Sequence, residues 1–342
     1  MLVCQTPLRV SFLGGGTDLP EYYKNASKPG KVISTAIDKY TYIVVNKLYR
    51  QQWVCNYSKK EICNSIDEIQ HEYIREVLKH FKIDFGLEIT TLADIPSEGS
   101  GLASSSSILV GLINAIGTLV KADLNTMDIA RLACEIEMDV LGKPIGKQDQ
   151  FAVSYGGFNV ISFRKSGRVY IEKLEIDENL EDMLVLVNTG IHRSSSDILT
   201  DQKKNTQRKV QKYDRIAEYV QEGLKLLKDK NYVDFGFTVL NSMRVKQELA
   251  KNIVNDKILQ LVQRSAHNLI GYKICGAGGG GYLLFITDHP KNIEQAFPEL
   301  DTFRIKFDNQ GTRIIFNNEK LVGKNTFGTL TKYYLQFKNF IL

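Results

Sequence analysis

The stretch Ile95-Pro-Ser-Glu-Gly-Ser-Gly-Leu-Ala-Ser-Ser-Ser-Ser107 runs directly into the apolar segment Ile108–Val120. A glycine-containing loop that opens a helix is the layout of an anion site. Glycines let the backbone approach phosphate, and the first-turn N–H groups and the helix dipole point at it. The four serines add hydroxyls that can donate to phosphate oxygens or coordinate Mg²⁺. GxxxxGK[ST] occurs nowhere in the chain, so this is not a Walker-type loop. Taken alone, the segment reads equally well as a serine-capped core helix.

Three other segments change that balance. Pro7-Leu-Arg-Val-Ser-Phe-Leu-Gly-Gly-Gly-Thr-Asp-Leu-Pro20 reads as a strand ending in three glycines and Thr17-Asp18. It lacks the GxGxxG spacing, which counts against a Rossmann dinucleotide site. Arg9 stands in an otherwise apolar strand and needs an anionic partner, either a structural carboxylate or a bound phosphate. Lys273-Ile-Cys-Gly-Ala-Gly-Gly-Gly-Gly281 holds five glycines in six residues. Ordering them is entropically costly and a plain hairpin needs only two, so close approach of a ligand or another backbone explains them better. Gly142-Lys-Pro-Ile-Gly-Lys-Gln-Asp-Gln-Phe151 carries Asp149 at a loop-to-helix transition, with Glu135 and Glu137 upstream. Asp149 is either a helix N-cap or a general base or metal ligand.

Around these segments the pattern is mixed. Val3–Leu13, Val32–Leu48 and Phe85–Leu92 read as strands, and Ile66–Phe81, Ser104–Val120 and Thr126–Leu141 as helices. Phe158–Phe163 and Val169–Leu174 form a predicted hairpin. The acidic stretch Glu175–Asp182 precedes the strand Met183–Asn188, long helical patterns to Asn268, and short strands at Tyr272–Cys275 and Tyr282–Thr287. Phe303–Phe307 and Arg313–Phe316 are expected to pair as a second hairpin. Elements in this non-repeating order predict α+β layers rather than a doubly wound sheet. The expected division is an N-terminal domain over 1–182, a C-terminal domain over 183–316 and a tail over 317–342.

Composition narrows the function classes. The 342 residues carry a formal charge of +5 and are 43% hydrophobic, as in ordinary globular proteins. Five scattered cysteines without a CxxC pair argue for reduced thiols in a cytoplasmic protein. No apolar run is long enough to span a bilayer, and no membrane partner is expected. The positive charge is confined to residues 192–216 (net +4) and 319–342 (net +3), on a body that is slightly acidic. That is no broad basic face, so a nucleic-acid partner is not expected and a small anionic ligand fits better.

The three glycine segments, in this order and at these separations, resemble motifs one, two and three of the GHMP kinases, which include galactokinase, homoserine kinase, mevalonate kinase and phosphomevalonate kinase. Their coincidence is far more specific than any one of them. The resemblance spans roughly residues 1–316. Within the superfamily it is strongest to bacterial sugar 1-kinases whose acceptor already carries a phosphate, through Val10–Asp18, Tyr57–Glu61, His71–Glu76, Gly146–Gln150 and Thr189–Ser196.

The resemblance implies a two-domain α+β kinase, ribosomal-S5-like then ferredoxin-like, with ATP in the cleft between. Gly99, Gly101, Leu102, Ala103, Ser104, Ser105 and Ser106 would hold the ATP phosphates. Ser105 and Glu137 would hold Mg²⁺. Asp149 falls on the catalytic aspartate, and Arg9 on the basic residue that accompanies it. Gly15, Gly16, Thr17, Asp18, Gly278 and Gly279 would bind the sugar. Arg193, beside three serines at a helix start, would dock its existing phosphate. Asp149 would take the proton of the anomeric hydroxyl, which is acidic enough for a carboxylate base. A homodimer is a family-level expectation.

Two departures stand out. Galactokinases carry Gly-Glu-His-Thr-Asp where this chain has Gly14–Asp18, which disfavours galactose. Ala103 replaces the third residue of the common Gly-Leu-Gly-Ser-Ser, and would be strained if that position requires positive φ. An unphosphorylated sugar such as L-fucose or a hexosamine is the alternative acceptor.

Overall fold

Val, Ile, Thr and Tyr crowd Gly30–Lys47, and they form an 18-residue strand, β2, that organises the larger sheet. On one edge it pairs antiparallel with β1 (Leu2–Leu13), from Leu2 opposite Val45 to Leu13 opposite Ile33. Its other edge serves two strands in turn: β6 (Phe158–Phe163) along Gly30–Thr35, and β5 (Leu87–Ala93) along Thr41–Lys47. β3 (Trp53–Asn56) joins β5 in parallel, β4 (Lys60–Cys63) flanks β3, and β7 (Val169–Leu174) completes the predicted hairpin with β6. The computed structural model describes residues 1–96, 99–191, 200, 206–251 and 253–318.

The helices of this half are α1 (Pro20–Tyr23), α2 (Glu72–His80), α3 (Ser104–Leu119), α4 (Thr126–Cys134), α5 (Gln148–Tyr155) and α6 (Glu178–Asp182). α3 is apolar nearly all round because it is enclosed, by β1 and β2 on one side and by α2, α4 and α5 on others. Leu109, Leu112, Ile113 and Ile116 are fully buried there. Each such side chain contributes about 1.5–3 kcal/mol. That burial holds the N-terminus of α3, and the loop before it, in place.

The second sheet contains β8 (Leu184–Asn188), β9 (Gly271–Ile274), β10 (Tyr282–Ile286) and β11 (Thr302–Arg304), in the antiparallel order β11-β8-β10-β9. Between β8 and β9 come α7 (Val210–Lys228), α8 (Tyr232–Gln247) and α9 (Asp256–Ser265); α10 (Pro290–Ala296) lies between β10 and β11. This is the strand order and β-α-β-β-α-β succession of a ferredoxin-like unit. Among the described residues no helix is long and apolar enough to cross a membrane.

Several expectations are corrected. The hairpin of 303–307 with 313–316 does not form: β11 pairs with β8, whereas β12 (Arg313–Asn317) crosses back and pairs with β1. A boundary at residue 316 therefore cuts a strand of the first sheet. Asp308 makes the crossing possible. Its buried carboxylate accepts from the Gln310 and Gly311 N–H groups (3.0 and 2.8 Å), from Arg313 Nη1 (2.9 Å) and from the Tyr40 hydroxyl (3.0 Å). The single helix expected over 66–81 is a 3₁₀ turn (Ile66–Glu68) followed by α2, which the His71 ring caps. That expected over 126–141 is α4, capped by an Asn125–Asp128 box, and then a π-helical turn at Glu135–Val140. The sequence pattern does not announce β3 or β4, and Trp53, on β3, is buried in the core.

Asp308→Ala leaves two backbone donors and a guanidinium without their acceptor, so a loss of about 2–4 kcal/mol is expected. The measurement is urea denaturation, and an unchanged midpoint would show that the crossing does not depend on this carboxylate.

Candidate active site

A cleft open to solvent is walled by all three glycine segments and by the loop that leads to Asp149. The second and third segments meet backbone to backbone. A Cβ on Gly101 (φ +73°) would lie 2.4 Å from the Cys275 carbonyl oxygen, and one on Gly276 (φ +65°) would lie 2.7 Å from the Gly101 Cα. Glycine at these two positions therefore answers to another backbone as well as to any ligand. The Tyr282 N–H donates to the Ser100 carbonyl (3.1 Å), which ties the two loops together.

At the centre of the cleft β1 delivers Arg9 and the first turn of α5 delivers Asp149. Arg9 Nε donates to Asp149 Oδ1 (2.8 Å) and Nη2 to Oδ2 (2.7 Å), a bidentate fork. Nη1 donates to the Gly101 carbonyl (2.8 Å), and the Arg9 backbone N–H to that of Leu102 (3.0 Å). The arginine side chain is buried, while the Asp149 side chain keeps 26% of its surface exposed, on the cleft. Asp149 is not an N-cap; Lys147 holds that position, without a side-chain cap bond.

Glu137 lines the cleft as well. The π-helical turn carries it inward to a buried position, where its carboxylate accepts from the Tyr73 hydroxyl (2.6 Å), the Ser106 hydroxyl (2.9 Å) and the Gln150 amide. Burial pushes its carboxyl above the ordinary value, and these three donors pull it back. Among the described residues no cation side chain pairs with it. Lys143 stays outside, donating to the Tyr73 hydroxyl (3.1 Å) and pairing with Glu72 (3.2 Å). Asp18 is a further carboxylate of the cleft. It accepts from the N–H groups of Gly16 (2.9 Å) and Gln148 (3.3 Å), and burial, then the nearby Asp149 charge, raise its carboxyl above the ordinary value.

A Gly-rich helix start, a carboxylate gripped by a guanidinium and a second buried carboxylate in one cleft suit phosphoryl transfer. Comparison with known proteins agrees. The family "GHMP kinases N terminal domain" matches residues 55–157. The D-glycero-alpha-D-manno-heptose 7-phosphate kinase of Campylobacter jejuni is 31% identical over 307 residues, 84% of this chain and 89% of that protein. The chain belongs to the GHMP kinases. A galactokinase of Clostridium perfringens is 23% identical over 71% of this chain and 77% of its own length. A structure titled a D-glycero-D-manno-heptose 1-phosphate kinase, from Bacteriodes thetaiotaomicron, superimposes with a TM-score of 0.77 over 93% of this chain and 99% of that one, at 20% identity, and so speaks for the fold. The protein is thus a sugar kinase of this family, related to the heptose phosphate kinases.

In this GHMP kinase Gly15, Gly16, Asp18, Gly99, Gly101, Ala103, Ser104, Ser105, Ser106, Glu137, Asp149 and Gly278 line the cleft. Three sequence-derived positions do not. Thr17 is fully buried, its hydroxyl donating to the Gly14 and Lys31 carbonyls, so it staples the turn. The Leu102 side chain is in the core. Gly279 is bonded to the Ile253 carbonyl through its N–H (2.8 Å) and to the Asn255 side chain through its carbonyl. Of the expected Ser105–Glu137 pair, it is Ser106 that bonds Glu137, while Ser105 is exposed to the cleft. Arg193 and the serines beside it lie outside the described residues. Tyr73, Gln150, Lys246 and Lys273 were not singled out from the sequence. Lys273 carries the signal that identified Arg9, a charge inside an otherwise apolar strand.

Ala103, the N-cap of α3, adopts φ 66° and ψ 29°, the left-handed conformation its replacement of glycine brought into question. Ala103→Gly relieves this strain at the loss of one buried methyl, worth about 0.8 kcal/mol, so stability should stay within about 1 kcal/mol. Ala103→Val places a β-branched residue there and should cost more than about 2 kcal/mol. Thermal unfolding of the two variants tests this; equal effects would show that the backbone at residue 103 is unconstrained.

Proposed function

We propose that this GHMP kinase transfers the γ-phosphoryl group of ATP to the anomeric C1 hydroxyl of D-glycero-D-manno-heptose 7-phosphate. The product is the 1,7-bisphosphate, a precursor of nucleotide-activated heptose for surface polysaccharide. The observation that carries the reading is the Arg9–Asp149 fork, facing the cleft between the start of α3 and Asp18. The choice of acceptor rests on the likeness to the Campylobacter jejuni enzyme.

Each residue then has a task. Backbone N–H groups at the start of α3, with Ser104 and Ser105, cradle the ATP phosphates. Asp18 binds a sugar hydroxyl and orients C1. Asp149 takes the C1 hydroxyl proton as the C1 oxygen bonds to the γ-phosphorus and the bond to the bridging β–γ oxygen breaks, releasing ADP. Arg9 fixes the direction in which Asp149 presents its lone pairs and adds positive charge beside the transferring group. Glu137, held by neutral donors only, and the Ser105 hydroxyl are hard oxygen ligands suited to Mg²⁺. Such an ion supplies neutralisation of the β- and γ-phosphate charge. Tyr73, Ser106 and Gln150 keep the Glu137 carboxylate oriented.

The acceptor is tested by measuring ADP release over a panel of sugars. Turnover is expected with heptose 7-phosphate and little with L-fucose, hexosamines or galactose; fucose activity without heptose 7-phosphate activity would replace this acceptor with an unphosphorylated one.

For the base, Asp149→Asn is predicted to lower kcat by at least about 10²-fold while ATP affinity changes no more than a few-fold. An unaltered kcat would remove Asp149 from the chemistry.

A further inference from the structure

Two lysines of the cleft have no task in the mechanism above. Lys273 comes from β9 and Lys246 from the last turn of α8; both are buried, at 5% and 7% exposure, and both line the cleft, with Asp18 among the charged neighbours of each. They also border a side recess walled by Phe12, Gly15, Ile216 and Met243. A Cβ on Gly15 would lie 3.7 Å from Lys273 Nζ, so the ammonium sits directly over the first glycine segment.

Nothing in the described protein neutralises them at close range. Lys246 Nζ donates to the Gly276 carbonyl, and neither lysine forms an ion pair among the described residues. The neighbouring carboxylates are engaged elsewhere: Asp149 by the Arg9 fork, Asp18 by two backbone N–H groups. A separate observation marks the same spot. The Ser11 hydroxyl, on the cleft wall, is buried without a hydrogen-bond partner, and its oxygen is 4.0 Å from that same Gly15 Cβ position. Burying ammonium groups without a counter-charge is costly, and an orphaned hydroxyl beside them adds to the cost. Burial also pulls Lys246 down to about 8 and Lys273 well below its ordinary value; the Lys246 and Arg9 charges lower Lys273 further, and the Arg9 charge lowers Lys246.

We infer that Lys246, Lys273 and the Ser11 hydroxyl form a subsite for a dianionic phosphate monoester, the phosphate group of the acceptor that is not transferred. The inference rests on the reading of the chain as a sugar-phosphate kinase and gives that reading its specificity device. Two convergent cations match a dianion better than a sugar hydroxyl, and the hydroxyl supplies a third donor. The nucleotide phosphates belong to the start of α3, and Asp18, the candidate sugar-hydroxyl ligand, is a charged neighbour of both lysines.

The test uses Lys273→Met and Lys246→Met in the full chain, with calorimetric titration of three ligands. Each variant should bind heptose 7-phosphate about 10- to 100-fold more weakly, with less than threefold change for the unphosphorylated heptose and for ATP. Retained ATP binding also shows that the variant is folded. An equal loss for both sugars, or a tenfold loss for ATP, overturns the subsite. A second arm uses inorganic phosphate with Mg-ADP bound: it should raise the Tm of the unaltered protein and not that of the lysine variants. If neither heptose binds the unaltered protein, the proposed acceptor fails, and this second arm alone decides the subsite. No phosphate effect on the unaltered protein overturns it.

Discussion

Arg9 is the constraint on which the arrangement depends. Its guanidinium spends two donors on Asp149 and a third on the Gly101 carbonyl, while its backbone N–H holds the carbonyl of Leu102. One buried residue on β1 thereby sets the position of the start of α5 and of the glycine loop before α3. A buried arginine needs several acceptors at once, and the planar fork can meet carboxylate and carbonyl simultaneously where a lysine could not. Reach and direction of the candidate base are thus built into the larger sheet rather than left to a loop.

The third glycine segment closes the site by contact rather than by chemistry alone. Gly276 and Gly101 approach so closely that neither tolerates a Cβ, so the β9–β10 connection is seated directly on the loop that opens α3. The return of β12 to pair with β1 adds another link between the later chain and the first sheet. The two buried carboxylates of the cleft differ in their partners. Among the described residues neutral side-chain donors hold Glu137, whereas two backbone N–H groups hold Asp18, which has two buried lysines as charged neighbours.

Much of this is written in the local pattern of the chain. The strands β1, β2, β6 and β7 and the helix α3 follow from local apolar patterning, and Arg9 and Asp149 from residue types out of place in their segments. The elements that were missed are those set by distant partners. β3 and β4 are too short for a period to show. The pairing of β12 with β1, rather than with β11, depends on the Asp308 turn, and the π-helical turn at Glu135–Val140 interrupts what reads as one continuous helix. At the site, the hydrogen bond of Ser106 to Glu137 is a matter of helix phase, which adjacent identical residues cannot reveal.

Glycine spacing and an arginine in an apolar strand are local signals, and they carry the family, the α+β class and the three glycine segments. Which of those residues face the cleft is settled by packing. Thr17, Leu102 and Gly279 belong to the quoted segments yet point into a turn, a core and a neighbouring loop. Lys246, from a helix with no motif, joins Lys273 beside Asp18 because α8 packs against β9. Side-chain direction and the meeting of distant elements are properties of packing, and no spacing along the chain encodes them directly.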